Sequence, residues 1–379
     1  MDNNLIKKVM TFKSGKFVFS RKFSSEKLTS HLIEARILYN TVTDLPILPE
    51  LSTRLEEEII RKSIFGTAAL EGNPLSEDRV GQIISGSDKE EQVVRAEKEI
   101  RNLKAAYDFI ASQRATDSVP ELSETMIQKV HALITQDVEY KYNMPGKYRG
   151  HPVKVRNMEH GGVYVPPKCL ADIKTLMKEY ITWINSKEIL DQDPAIRAAL
   201  AHYHLALIHP FGDGNGRTAR LVEALLLRLG GIKYVPIMLS NFYYRNIDDY
   251  FWAFSNAIKN KEHDVTPFLE FILKGVIDSL NEIKGRITFF IRKFTLRDYY
   301  AYLKRTRDIS QRQHDLLLIL LDYLKPFTLG DLFKIPQLNI LYRNVNERTA
   351  RRDLKRLREK ALLSPIKDGG YELNWRILG

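Results

Sequence analysis

Residues 209–220 read His-Pro-Phe-Gly-Asp-Gly-Asn-Gly-Arg-Thr-Ala-Arg, a base, an acid and two cations set around three glycines. Gly212, Gly214 and Gly216 let the backbone approach a ligand closely and take positive φ angles. A helix expected over 217–229 presents its N-terminal amides and the positive end of its dipole to that loop, a setting that favours phosphate. Arg217 and Arg220 lie three apart on its first turn, so both can reach one polyphosphate, and arginine matches phosphate oxygens bidentately. Asp213 is a hard oxygen ligand suited to Mg²⁺, an ion shared with phosphates and water. His209 titrates near neutrality and is the natural general base. Taken alone, the glycine loop is also what a plain helix-to-helix turn beside a core histidine looks like. Together, these groups fit phosphoryl-type transfer, where in-line positioning and charge neutralisation supply most of the catalysis. Nothing in the loop offers a Zn²⁺ site. His202 and His204 point to opposite sides of a helix, so packing or exposure is expected of them rather than ligation.

Helices must position this loop. Apolar residues at Leu55, Ile59, Ile60, Ile64 and Ala68 share one helix face over 51–70, and Gly72-Asn-Pro74 stops that helix. Helical periodicity returns over about 90–114 and 123–136, then over 170–186, 194–208 and 248–259, and from Val265 towards Arg292. A loop through Tyr243-Tyr244-Arg245-Asn246 is expected before the 248–259 helix. Tyr148, Val153, Val155, Val163 and Val165, mixed with Gly161-Gly162, predict a β-hairpin within 146–167. Residues 1–45 mix short β-prone pieces such as Phe17-Val18-Phe19 with Lys and Ser, and give no clear assignment. From about Asp308 a separate module follows, with helices over 311–324, 329–333 and 346–360. Asp368-Gly369-Gly370 then marks a hairpin turn, which completes a winged-helix arrangement.

Composition bounds the setting. With 44% hydrophobic and 28% charged residues in 379, the chain is ordinary globular protein, long enough for two or three domains. No membrane span is expected: the densest apolar run, 316–321, is short and bracketed by Asp315 and Asp322. Lys7, Lys8, Lys13 and Lys16 break up the N-terminus before any secretory signal core can form. One cysteine, Cys169, excludes an internal disulfide framework and fits a reducing, cytoplasmic compartment. The 58 Lys and Arg against 47 Asp and Glu give +11, a balance that favours anionic partners, nucleotides or nucleic acid.

The 209–220 stretch resembles the Fic family, whose signature His-x-Phe-x-Asp/Glu-Gly-Asn-Gly-Arg-x-x-Arg is matched at every defined position. The resemblance covers roughly residues 40–275. It implies a mainly α fold, a Fic helical bundle with a β-hairpin flap, here with the C-terminal winged-helix domain. The implied layout is an N-terminal region over 1–115, a catalytic core over 116–300 and the winged-helix module over 308–379. The implied activity is transfer of AMP from ATP to a hydroxyl side chain of a target protein, self-modification included. His209 would deprotonate the hydroxyl and Asp213 would position Mg²⁺. Gly214, Asn215, Gly216 and Arg217 would hold the α- and β-phosphates and Arg220 the γ-phosphate, with Thr218 and Ala219 completing the phosphate segment. Glycines on both sides of Asn215 separate the chain from the kinase branch of the family and favour AMP transfer.

Thr67-Ala-Ala-Leu-Glu71-Gly72 resembles the family's inhibitory pattern, Ser/Thr-x-x-x-Glu-Gly/Asn, carried on a helix over about 51–72. It implies that Glu71 pairs with Arg220 and so occupies the arginine meant for the γ-phosphate. The hairpin resembles the family flap that pairs with the target segment by strand addition. Asn246 and Tyr250 are the candidates on the adenosine side. In the C-terminal module, residues 341–360 hold eight basic against three acidic side chains. Arg351, Arg352, Lys355 and Arg358 are expected to face outward, as in a DNA-reading helix; a module that docks protein stands equally open. A homodimer is compatible with such a chain. The rival readings are transfer from another nucleotide donor and a nucleotide-sensing DNA-binding regulator, the latter having no use for His209.

Overall fold

A computed structural model describes residues 5–86, 94–113, 120–138, 144–232, 235–367 and 369–379. Asp368 of the expected C-terminal turn, and both expected ends of the 90–114 helix, lie outside them. The chain opens on an antiparallel hairpin, β1 (Ile6–Met10) and β2 (Lys16–Ser20), with Lys8 opposite Val18, and continues into α1 (Ser25–Asp44). Then come α2 (Pro49–Ala69), α3 (Glu77–Ser85), α4 (Arg95–Ser112), α5 (Glu124–Thr135) and a second hairpin, β3 (Val155–Asn157) with β4 (Gly162–Tyr164). There follow α6 (Leu170–Ile184), α7 (Lys187–Leu190), α8 (Pro194–Ile208), α9 (Asn215–Leu229), α10 (Val235–Arg245), α11 (Ile247–Lys259) and α12 (Thr266–Arg305). The chain closes with α13 (Gln311–Tyr323), α14 (Asp331–Lys334), α15 (Pro336–Tyr342), α16 (Glu347–Glu359) and a third hairpin, β5 (Leu363–Pro365) with β6 (Tyr371–Leu373).

Two compact units divide the chain, with the boundary at Lys284–Gly285 inside α12 and Leu45–Ile47 grouped with the second unit. At the centre of the first unit, α8 and α9 pack along one another and are buried on nearly every face; Leu200, Ala201, Leu205, Leu221, Val222 and Leu225 are fully or almost fully inaccessible. Around them stand α2, α4, α5, α6 and α10. The apolar stripe of α2 is buried at Leu55, Ile59, Ile64 and Ala68, joined by Leu51, while Ile60 is half-buried. Each such side chain removed from water stabilises the fold by roughly 1.5–3 kcal/mol.

Three expectations need correction. The loop expected through Tyr243–Asn246 is the last turn of α10, which runs to Arg245. Helix wins there through packing: α10 crosses α2 backbone to backbone at Gly66, where a Cβ would meet the Ser240 carbonyl at 2.8 Å and Asn241 Cα at 2.9 Å. Residues 1–45, left without assignment, hold a hairpin and the 20-residue α1. The hairpin is held by Asp172 of α6, whose carboxylate accepts the Phe12 and Lys13 amides and the Ser14 hydroxyl. The long helix from Val265 continues to Arg305 rather than stopping near Arg292.

In the second unit, Leu316, Leu317 and Leu320 of α13 pack with Leu338, Tyr342, Ala350, Leu354, Leu357 and Leu363 in one core. Buried Asp353 of α16 accepts from Arg312 Nε at 2.7 Å and Gln313 Nε2 at 2.9 Å, which fixes α16 on α13. The β5–β6 hairpin pairs Ser364 with Glu372 and bridges Tyr371 to Phe327. α15, absent from the sequence expectation, begins at Pro336 in the first helical turn, where proline is tolerated.

Candidate active site

Asp193 caps α8 by accepting the Ala195 amide at 2.9 Å, and Pro194 fills the first turn. The helix ends at His209, which takes φ 50° and ψ 56°, a left-handed conformation uncommon outside glycine. Arg149 fixes this turn. Its Nε donates to the His209 carbonyl at 2.8 Å, Nη1 to His151 O at 2.7 Å and Nη2 to Pro167 O at 2.8 Å. Its backbone amide donates to Pro210 O at 2.9 Å. A buried guanidinium thus ties both ends of the hairpin segment to the loop that carries His209.

His209 faces the Ala206 carbonyl with Nδ1 at 3.4 Å. A carbonyl only accepts, so the contact favours the proton on Nδ1 and leaves the Nε2 lone pair available. Burial, aided by the Arg149 charge, pushes the ring down to about 4, so it is neutral at physiological pH.

After Phe211 the backbone folds over the Asn215 side chain, which accepts the Phe211 amide at 2.9 Å and donates to its carbonyl at 2.8 Å. The Asn215 side chain therefore shapes the loop. Gly214 takes φ 72°, and α9 starts at Asn215, two residues before the expected Arg217. Thr218 turns its hydroxyl back onto Gly214 O at 2.8 Å, and Ala219 is fully buried. The first amides of α9 have no intrahelical acceptor.

His131 of α5 supports the loop from below. Its Nδ1 accepts the Gly146 amide at 2.9 Å, so Nε2 carries the proton and donates to Asp213 O at 3.0 Å. The ring stacks on Phe211 with centroids 3.7 Å apart and 5° between planes. Burial lowers His131 to about 4 and preserves the neutral form that this pattern needs. Sequence reasoning missed His131 and the role of Arg149. The available signal was His131 in register with Ile127, Val130 and Ile134 on the buried face of α5.

Arg217 is buried, with Nη2 3.5 Å from Asp213 Oδ1 and Nη1 3.7 Å from Glu99. Arg95 stands 3.7 Å from the other Asp213 oxygen. Arg220 donates from Nε to the Thr67 hydroxyl at 2.9 Å and from Nη2 to Glu71 Oε1 at 2.6 Å. Burial alone would raise the Glu71 carboxyl, but the Arg220 and Arg217 charges outweigh it and hold the group below its ordinary value, ionised. A Cβ on Gly216 would stand 2.3 Å from Glu71 Oε1, so this close approach requires glycine. Gly72, at φ 82°, turns the chain away after Glu71.

A cavity of about 410 Å³ is lined by Glu71, His209, Gly216, Arg220, Tyr250 and the hairpin residues Gly161, Gly162 and Tyr164. The hairpin covers it: Tyr164 donates its hydroxyl to Leu207 O at 2.9 Å, and His160 meets Asp248 at 2.7 Å. Tyr250 is buried and lines the cavity, whereas Asn246 bonds to Phe242 O at 2.9 Å and lines a separate groove. In the second unit, Arg351, Arg352, Lys355 and Arg358 lie on the exposed face of α16.

A buried neutral histidine, a glycine loop at a helix N-terminus and a hairpin thus meet at one cavity, an arrangement whose free helix amides suit an anion. Residues 121–227 match the Fic/DOC family, and the chain carries a Fic domain. It is 30% identical over 190 residues to the protein adenylyltransferase fic-1 of Caenorhabditis elegans, covering 49% of this chain and 35% of that protein. With the protein adenylyltransferase Fic of Aedes aegypti it shares 29% over 226 residues, 58% of this chain and 40% of the relative. The chain thus spans well under half the length of these curated relatives. Among solved structures, Fic-1 of C. elegans superposes with a TM-score of 0.56 at 25% identity, covering 70% of this chain and 74% of that one. A Fic family protein from Desulfovibrio desulfuricans G20 gives a TM-score of 0.56 at 20% identity over 92% of this chain and 96% of its own, which shows the shared, mainly helical fold.

Proposed function

We propose that this chain transfers AMP from ATP to a hydroxyl side chain of a target protein and is held back by Glu71. The observation that carries the reading is the Glu71–Arg220 pair, 2.6 Å long, inside the same cavity as His209 and Gly216. In the reaction, His209 Nε2 takes the proton of the target hydroxyl as its oxygen bonds to the α-phosphorus. The bond from the α-phosphorus to the bridging oxygen breaks, and pyrophosphate leaves. The α9 amides and Arg217 bind the phosphates, and Arg220 would take the terminal one once Glu71 releases it. With Glu71 in place, ATP binds without that contact and in an unproductive pose.

Asp213 is the residue that would hold Mg²⁺. Among the described residues no group of three or more His, Cys, Asp or Glu side chains could bind a metal alone. One carboxylate beside a phosphate loop fits an ion that completes its shell with phosphate oxygens and water. When bound, it would neutralise phosphate charge. Incubation with labelled ATP and Mg²⁺, comparing the parent with Glu71→Gly, tests the reading. Strong incorporation into protein by the variant is expected; none in either protein sinks it.

A second reading concerns the second unit, which we propose is a winged-helix module that meets nucleic-acid phosphates. Leu354 and Leu357 are buried while Arg351, Arg352, Lys355 and Arg358 stand exposed on one helix beside a hairpin, which supports it. Among the described residues no helix is long and apolar enough to cross a membrane.

A further inference from the structure

The hairpin over the cavity is held differently at its base and at its tip. The base is pinned: Arg149 holds the His151 and Pro167 carbonyls, and the Tyr164 hydroxyl donates to Leu207 O at 2.9 Å. The tip, between β3 and β4, meets α11 through His160 and Gly161. His160 Nε2 is 2.7 Å from Asp248 Oδ1; a carboxylate only accepts, so Nε2 carries the proton and donates. The His160 side chain is 11% exposed and lies against Phe251 and Trp252, with ring centroids 5.4 and 5.7 Å away. Gly161, at φ 138°, presses its backbone on Ser255: a Cβ there would collide with the Ser255 hydroxyl and stand 2.8 Å from Ser255 Cβ.

These contacts pull in opposite directions. His160 on Asp248 favours the docked tip. Gly161 on Ser255 opposes it, because the Ser255 hydroxyl is buried with no hydrogen-bond partner among the described residues. A buried hydroxyl left unsatisfied costs free energy, and water would satisfy it if the tip lifted. The tip residues His160, Gly161 and Gly162 line one wall of the cavity, and Phe251, Phe254 and Ser255 of α11 line the facing wall. Lifting the tip therefore opens the cavity between them.

We propose that the hairpin is a hinged lid on the nucleotide cavity, with His160 and Asp248 as its clasp and Ser255 as the counterforce that keeps it able to open. The inference rests on the nucleotide-binding reading of the cavity given above, and it concerns the passage of nucleotide rather than the chemistry. His160 is a positioning residue, since it acts through the hairpin. The Asp248 side chain is 78% exposed, so its pair with His160 shifts an opening equilibrium only a few-fold. A clasp that light lets the lid open spontaneously.

The test uses the full chain and reads hydrogen exchange of the 155–164 amides without nucleotide, then association and dissociation rates of a ribose-labelled fluorescent ATP. His160→Ala should speed exchange of the hairpin amides and raise both nucleotide rates by roughly ten-fold, the worth of the pair and the ring contacts together. Asp248→Ala, which leaves the ring in place, should raise them by roughly two- to five-fold. Ser255→Ala should do the reverse and slow all three. Opposite signs from neighbouring contacts do not arise from a general loss of packing, and thermal midpoints check the fold. If His160→Ala does not fold, the other two variants carry the test. A rise in dissociation alone for His160→Ala would make the ring a direct nucleotide contact and overturn the clasp, as would hairpin amides that exchange at the parent rate in every variant. Failure of the parent to bind the ATP analogue would instead overturn the nucleotide-binding reading, and amide exchange would still decide the clasp.

Discussion

Arg220 and Glu71, 149 positions apart in sequence, meet at 2.6 Å, and Thr67, one turn before Glu71, binds the same guanidinium at 2.9 Å. The last turn of α2 and the turn that follows it therefore grip the arginine at two points. Glu71→Gly should raise AMP transfer strongly, and the gain should vanish in the double change with Arg220→Ala. Both act through one contact and cannot be additive. Labelled-ATP transfer by the four proteins of this cycle is the measurement. Equal rates for the parent and Glu71→Gly would remove the inhibitory role of Glu71.

His209→Ala in the Glu71→Gly background should lower transfer by about 10² to 10⁴ while ATP affinity stays near the parent value. The ring lies beside the phosphate loop without belonging to it. A rate that does not move would take His209 out of the reaction.

The pH dependence of transfer follows from the same ring. A base works only when deprotonated, and His209 is held at about 4. The acid limb of kcat/KM in the Glu71→Gly protein should therefore fall near pH 4 and stay flat through pH 6.5. A limb centred near 6.5 would mean that the ring is solvated like a free imidazole.

Stability should respond to acid at two other histidines. His131 and His204 are both held at about 4 by burial, so the unfolded chain binds protons more readily than the folded one between roughly pH 6.5 and 4. The stability they confer is complete above 6.5 and falls as pH drops towards 4, by up to about 3 kcal/mol apiece. Denaturant melts at pH 7 and pH 5 measure it, and superimposable curves would contradict it.

For the second unit, DNA affinity should fall steeply as salt rises, and Arg351→Ala with Arg352→Ala should weaken it while sparing AMP transfer. Both arginines are exposed on α16, although Arg351 also pairs with Glu347 along the helix. Absence of DNA binding at low salt would favour a protein partner for this face.

What could be read from the sequence was what is local. The 209–220 segment occupies twelve consecutive residues, and its fold follows from a few short-range bonds such as Asn215 to Phe211. Glu71 was legible only because Thr67 and Glu71 carry a pattern of their own. The supports of the loop were not, since His131 and Arg149 acquire their roles from carbonyls and amides brought close by tertiary packing. Helix α10 was hidden for a related reason. Ser240, Asn241, Tyr243 and Tyr244 have modest helix propensity, and it is the crossing with α2 at Gly66 that makes helix the better state.

That crossing bears on how the proposed brake would move. Gly66 seats α2 against α10 with no room for even a methyl group, and Asn73, two residues past Glu71, donates to Ala96 O and to Glu99 of α4 at 3.0 Å each. The backbone is anchored on both sides of Glu71, so the carboxylate can leave Arg220 by rotating its own side chain while the helix stays put. Such rotations of a partly exposed side chain take picoseconds to nanoseconds, far faster than any turnover. A contact that opened and closed so often would keep no memory between encounters with nucleotide. Under the proposed role of Glu71 it would act as a dimmer: the output at any moment would be the fraction of time the carboxylate spends away from the arginine.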